Sequence, residues 1–200
     1  MASFDEMRAY AHAELYPLIR NRAGFEHTAA QALVEAAADG VRVLEMSLDA
    51  DFCRFYEGPV GFLDFIRRLA AQAPPLLDFR PEIGVSKNRD PAAQVRLAME
   101  CVESGLFRSI DLYGNEDAQE PEAYAELYRR AAWAGLKRKA HAGEFGDAPL
   151  VERTVRSLGL RRAQREDKTR VDAAAAVLIL QAFLDRNGID AGRAISNGHR

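Results

Sequence analysis

The stretch Lys139-Ala140-His141-Ala142-Gly143-Glu144-Phe145-Gly146-Asp147 decides how the rest of the chain is interpreted. A short run of β-forming residues starts at Gly135 and ends at Ala140, within this stretch. A helical pattern begins at its last residue. The histidine can hold a metal ion or a proton, and the glutamate three residues later can transfer protons. A histidine and a glutamate at the carboxyl end of a strand predict a functional corner in an α/β protein.

The size and charge of the chain limit the classes of protein to consider. Its 200 residues are enough for one domain with a hydrophobic core. The 27 basic and 30 acidic residues give a net charge of -3, so no general attraction to nucleic acid or to an anionic membrane is predicted. There is no apolar run of the roughly 18 residues that a membrane helix needs, and the N-terminus has no signal-peptide pattern. We therefore expect a cytoplasmic protein that binds neither nucleic acid nor membrane.

The cysteines argue against a disulfide framework, a four-thiolate zinc site and one class of zinc deaminase. Cys53 and Cys101 are too few for a disulfide framework or a four-thiolate zinc site, and we expect reduced, partly buried thiols. The zinc deaminases that act on cytosine or on tRNA adenine carry H-x-E and P-C-x-x-C, and this sequence has neither motif.

Helical and strand patterns alternate at intervals of roughly 30 residues, which predicts parallel strands in βαβ units within a single domain. Strands are predicted at residues 41–48, 78–86, 106–112 and 136–140. Helices are predicted at residues 4–20, 27–39, 60–72, 91–104, 121–134, 147–158 and 171–185, with a break at residues 21–24. The pattern leaves open a doubly wound sheet or a (β/α)₈ barrel, which usually needs about 250 residues.

In either architecture, chemistry gathers at the carboxyl ends of the strands. Asp111 lies between two apolar neighbours, where a carboxylate costs energy unless it is paired, so both a structural and a catalytic role remain open. Gly114 either allows close backbone approach to a ligand or is a plain turn glycine. The other candidates at the strand ends are Glu45, Ser47, Lys87, Asn88, Asn115, Glu116, His141 and Glu144.

Three other features have plain structural interpretations. Trp133 follows the apolar phase of its helix and is predicted to lie in the core. The mixed-sign run at residues 161–168 is predicted to be a solvated face rather than a phosphate site. The remaining histidines form neither H-x-H nor H-E-x-x-H; they are His12, His27 and His199.

Several motifs occur in an order and spacing that resemble a known family. They are SIDLYGNE at 109–116, LYR at 127–129, AGLK at 134–137 and KAHAGEFG at 139–146, preceded by ADGVRVLEMS at 38–47 and PEIGVS at 81–86. Together they resemble the adenosine deaminase family of zinc-dependent purine aminohydrolases, within the amidohydrolase superfamily. The resemblance covers residues 25–164, the central part of the family's sequence.

The resemblance implies a fold and an activity. The expected fold is α/β, a partial (β/α)₈ barrel of the TIM type, made of roughly strands 2 to 6 with their helices, and followed at residues 165–200 by a divergent helix and tail. The expected reaction is hydrolytic deamination of adenosine or a related purine, to inosine and ammonia, by a zinc-activated hydroxide. By resemblance His141 is the zinc ligand, Glu144 protonates the purine ring, and Gly114 and Asp111 bind substrate.

The sequence also departs from the family. Nothing upstream of Val41 supplies the family's H-x-H, Arg165 stands where the family has a histidine, and the eighth-strand aspartate has no counterpart. One hypothesis is a deaminase that takes its missing ligands from elsewhere, such as a second chain. The alternative is a truncated, inactive member that acts as a binding or interaction module. A part-barrel is expected to expose strand edges and apolar inner faces, which predicts a homo-oligomer or a partner that covers them.

Overall fold

The structure, a computed structural model, describes residues 9–10, 13, 16–144 and 147–160. These residues belong to one compact unit that spans residues 1–160. Several sequence-based predictions concern residues outside the described ones: His12, Arg165, His199, the charged run at 161–168, the helix at 171–185 and the divergent segment at 165–200.

A parallel sheet of four strands forms the centre of the described part. The strands are β1 (Val43–Asp49), β2 (Asp78–Ser86), β3 (Ser109–Tyr113) and β4 (Lys137–Ala140). They lie side by side in chain order, with Glu82 beside Ser109 and Asp111 beside Lys139. A doubly wound sheet reverses its strand order at a switch point, whereas a barrel continues in one direction. The observed order is therefore that of a barrel segment.

One helix precedes the first strand, three connect successive strands and one follows the last strand, as the alternating pattern predicts. They are α1 (Arg22–Ala38), α2 (Pro59–Ala71), α3 (Pro91–Glu103), α4 (Ala125–Trp133) and α5 (Ala148–Ser157). Short 3-10 segments occur at Tyr16–Ile19, Ala50–Tyr56 and Pro121–Tyr124. No helix among the described residues is long and apolar enough to cross a membrane.

The predicted start of α1 is wrong. We expected a break at residues 21–24, but Asn21 caps the helix there, with its side chain accepting a hydrogen bond from the Gly24 amide at 3.0 Å. Asparagine is typical both of loops and of helix N-caps, and in this protein Asn21 is an N-cap. The preceding predicted helix contains a 3-10 segment, Tyr16–Ile19, in its described part.

One face of the sheet packs against the helices and forms the core. Strand residues alternate in direction, so every second side chain turns toward the helices. The buried aliphatic side chains of the strands are Leu48, Ile83, Val85, Ile110 and Leu112. Those of the helices include Phe25, Leu33, Phe62, Ile66, Ala98, Val102, Leu127 and Tyr128. Cys53 and Cys101 are free in the structure and lie in this core, where both are fully buried rather than partly buried as predicted.

The opposite face of the sheet carries a polar network, so the expectation of an apolar inner face is wrong. The Ser109 hydroxyl contacts the carboxylates of Glu45 and Glu82, with 2.7 Å to Glu82 Oε2. Lys139 Nζ lies 3.0 Å from Glu45 Oε2 and also pairs with Glu82. These four residues come from all four strands, so charge pairing links the sheet on the face that the described helices leave uncovered.

Trp133 lies on the surface, which contradicts its predicted place in the core. Its side chain is 80% exposed, and the Arg130 guanidinium lies over its ring at 4.9 Å. The buried face of α4 consists of Leu127, Tyr128 and Ala131, and Trp133 falls outside the helical spacing of that face.

Candidate active site

His141 directly follows β4 and faces Asp111 of β3. Its backbone amide donates to the Leu112 carbonyl at 2.8 Å, which extends the pairing of the two strands by one residue. Its Nε2 lies 3.1 Å from Asp111 Oδ2. The His141 side chain is 53% exposed, whereas that of Asp111 is only 10% exposed. A buried carboxylate therefore holds an accessible imidazole at the end of the sheet.

The two groups are coupled electrostatically. The hydrogen bond that His141 donates to Asp111 raises the pKa of His141, and the charges of Glu144 and Glu82 act in the same direction. Asp111 Oδ1 is buried and has no hydrogen-bond partner among the described residues. A buried carboxylate oxygen without a partner is energetically costly.

Glu144 lies in the loop between β4 and α5, and its backbone is tied to the neighbouring loop. The amides of Gly143 and Glu144 each donate to the Glu116 carboxylate at 2.7 Å. The Glu144 side chain is exposed, and Glu144 follows His141 by three residues in the chain. The next two residues, Phe145 and Gly146, lie outside the described residues. The predicted His141 and Glu144 therefore share one short, anchored segment.

Gly114 follows β3 with φ +106°, a conformation that favours glycine. A Cβ atom there would lie 3.0 Å from the side-chain nitrogen of Asn88. The same asparagine accepts a hydrogen bond from the Asn115 amide at 3.0 Å. Contact with Asn88 thus explains the glycine structurally, and its role in substrate binding stays a prediction.

Tyr113 and Asp49 also lie at this end of the sheet, and the sequence reasoning did not select them. The Tyr113 hydroxyl donates to the Asp49 carboxylate, and burial raises the pKa of Tyr113. The Tyr113 ring centre lies 6.3 Å from that of His141. The two-residue period of a strand could have identified Tyr113, because Tyr113 is two residues beyond Asp111 and therefore lies on the same face of the sheet.

The residues described do not form a complete zinc site. Among them, no group of three or more His, Cys, Asp or Glu side chains converges in a way that could hold a metal ion. A catalytic zinc ion typically has three protein ligands, and this end of the sheet offers His141 with its carboxylate partner Asp111. Further ligands would have to come from outside the described residues.

No protein-family model matches the sequence. A short similarity, 42% identity over 74 residues, relates 36% of the chain to 50% of a protein provisionally named pre-16S rRNA nuclease from Salinibacter ruber. Since this match covers little more than a third of the chain, it does not describe the protein as a whole.

Longer similarities are to deaminases. A protein of Treponema pallidum, provisionally named adenosine/adenine deaminase, is 30% identical over 165 residues, which are 82% of this chain and 55% of that protein. An adenine deaminase of Streptomyces coelicolor is 31% identical over 160 residues, which are 74% of this chain and 45% of that protein. The chain thus spans about half the length of these curated relatives.

Two solved structures share the fold of the described part of the chain. The adenine deaminase of Arthrobacter aurescens has a TM-score of 0.52 at 24% identity, over 68% of this chain and 43% of that protein. An amidohydrolase from Burkholderia ambifaria with bound zinc has a TM-score of 0.53 at 26% identity, over 68% and 39%. The predicted partial barrel is confirmed. The chain is therefore a partial match to the adenosine and adenine deaminases of the amidohydrolase superfamily.

Proposed function

We propose that this chain carries part of the active site of a purine deaminase, which hydrolyses adenine or adenosine with release of ammonia. The observation that carries the proposal is the pairing of His141 with Asp111 at the carboxyl end of the sheet, three residues before an anchored Glu144. The similarity to deaminases over 82% of the chain supports the same reaction class.

The described residues have distinct tasks in this proposal. Asp111 orients His141 as one metal ligand, in the way that carboxylates commonly orient histidine ligands. Glu144 in its acid form donates a proton to a ring nitrogen of the purine, which makes the ring a better electrophile. By resemblance, Asp111 and Gly114 contact the bound purine. A zinc ion, with ligands beyond those described, would supply the hydroxide.

A direct assay tests the proposal. The full chain is loaded with zinc and incubated separately with adenine and with adenosine, and ammonia and the deaminated product are quantified together with the zinc content. Glu144→Gln should lower turnover by roughly 100-fold or more, because it removes the proton donor. Glu126→Gln is the control, since Glu126 is an exposed glutamate on α4.

The alternative is a binding or interaction module without catalysis, and one observation favours it. The described residues lack a cluster of three metal-binding side chains. A chain that retains no zinc and releases no ammonia from either purine would support this alternative. Stoichiometric zinc with turnover that depends on Glu144 would exclude it.

A further inference from the structure

Glu116 is a buried carboxylate that joins two loops at the carboxyl end of the sheet. Only 3% of the residue is exposed. Its Oε2 accepts a hydrogen bond from the Gly143 amide and its Oε1 accepts one from the Glu144 amide, both at 2.7 Å. Each carboxylate oxygen therefore holds one of two consecutive peptide groups, and the second of these belongs to Glu144 itself.

This arrangement is stronger than an ordinary loop contact. Hydrogen bonds to an ionised carboxylate are shorter and roughly twice as strong as those between neutral groups. Two such bonds to neighbouring amides fix the orientation of both peptide planes. Because the Glu144 amide nitrogen is bonded to the Cα that carries the side chain, the carboxylate of Glu116 fixes the backbone position from which the Glu144 side chain extends.

The other side of the Glu116 loop is also held. Lys87, which follows β2 and is 1% exposed, donates from Nζ to the Glu116 carbonyl at 2.8 Å. Burial lowers the pKa of Lys87, and the charge of Glu116 opposes that change. A continuous path of contacts thus leads from the end of β2, through Glu116, to the segment after β4.

We propose that Glu116 is a positioning residue that fixes the backbone at Gly143 and Glu144, and so places the Glu144 carboxyl for proton transfer. The inference rests on the proposed function of Glu144, but its structural half can be measured without turnover. It predicts that the charge of Glu116, rather than its volume, holds the segment.

The test is hydrogen exchange of single backbone amides in the full chain, measured by NMR. In Glu116→Gln the side-chain carbonyl can accept one amide, while its NH₂ group faces the other. Exchange at Gly143 and Glu144 should become faster by roughly tenfold or more. The His141 amide, which donates to Leu112 instead, is the internal reference and should keep its rate. Glu126→Gln is the matched control for the loss of one charge.

Two further measurements separate positioning from a general loss of structure. Glu116→Asp keeps the charge on a shorter side chain, so it should restore part of the protection of the Gly143 and Glu144 amides against exchange. This variant can be measured even if Glu116→Gln is too unstable. In a chain that deaminates a purine, Glu116→Gln should lower kcat by roughly tenfold or more with little change in KM, since the proton donor is displaced while substrate binding is kept.

The outcomes distinguish this inference from the proposed function. Unchanged exchange at Gly143 and Glu144 in Glu116→Gln would overturn it, and so would an unchanged kcat in an active chain. If the wild-type chain releases no ammonia, the proposed deamination fails, whereas faster exchange at the two amides would still establish that Glu116 fixes the Glu144 backbone.

Discussion

Asp111 favours the protonated form of His141 at the end of the sheet. Its Oδ2 lies 3.1 Å from His141 Nε2, and this hydrogen bond is the main reason that the pKa of His141 is raised. The sequence suggested that an aspartate between apolar neighbours needs a partner, and the structure supplies His141 as that partner. Sequence spacing alone could not pair them, because they are 30 residues apart and meet only through strand register.

Replacing Asp111 by asparagine should lower the pKa of His141 toward its ordinary value of about 6.5. The reason is that the raised pKa depends chiefly on the Asp111 carboxylate. The measurement is the chemical shift of the imidazole Cε1 proton as a function of pH in the metal-free chain. The His27 resonance, from α1, serves as internal reference. A His141 titration curve that does not move would contradict the prediction.

The same pair gives a pH dependence of stability with a definite sign. A raised histidine pKa means that the folded state favours the protonated form, so the stabilisation is complete below the unfolded pKa and disappears as pH rises through the folded pKa. The Asp111→Asn substitution should therefore lower the free energy of unfolding, relative to wild type, by more at low pH than at high pH. The effect is modest, because the His141 side chain is 53% exposed and water screens the interaction.

At the scale of elements, the loop between β4 and α5 has two close neighbours. The Glu116 carboxylate accepts hydrogen bonds from its amides, and Val151 of α5 lies close to Gly143. Gly143 has φ +84°, and a Cβ there would lie 2.7 Å from Val151 Cγ2. Asp147 then caps α5 by accepting from the Leu150 amide at 3.0 Å. The sequence predicted this helix start, because an aspartate followed by a proline is a typical start signal.

Gly143→Ala should destabilise the fold more than Gly135→Ala. Both glycines have positive φ, +84° and +83°, but no atom lies within 4 Å of the position of a Cβ at Gly135. Gly135→Ala therefore measures the backbone cost alone, while Gly143→Ala adds a clash worth about 1–3 kcal/mol. Urea unfolding of both variants gives the difference. Equal losses would show that α5 moves away from the loop without resistance.

At the scale of the whole molecule, the described sheet is open. In the described residues β1 pairs only with β2, and β4 only with β3. The edge strand β4 is Lys137-Arg138-Lys139-Ala140, a charged sequence of the kind that protects edges against pairing with another chain. The uncovered face carries the polar network of Glu45, Glu82, Ser109 and Lys139, so it favours association with another chain less than an apolar face would.

Replacing Lys137 by valine should increase self-association of the chain. The substitution removes an exposed charge from the β4 edge and adds a β-branched residue that favours strand pairing. Light scattering at increasing protein concentration should show a larger average mass than for wild type. Arg96→Val, which removes one charge from an exposed position on α3, is the control. Identical masses for all three proteins would refute a protective role of Lys137.

The sequence alone determined the alternating order of strands and helices, because strand and helix periods and capping residues are local signals. Motif order likewise gave the relationship to the deaminases and selected His141 and Glu144. Only the tertiary structure decided which groups meet. Asp111 pairs with His141, Tyr113 pairs with Asp49, and Glu116 accepts hydrogen bonds from the backbone amides of Gly143 and Glu144. It also placed Trp133 outside the core. These contacts join residues far apart in the chain, and they depend on strand register and loop packing, which local patterns do not encode.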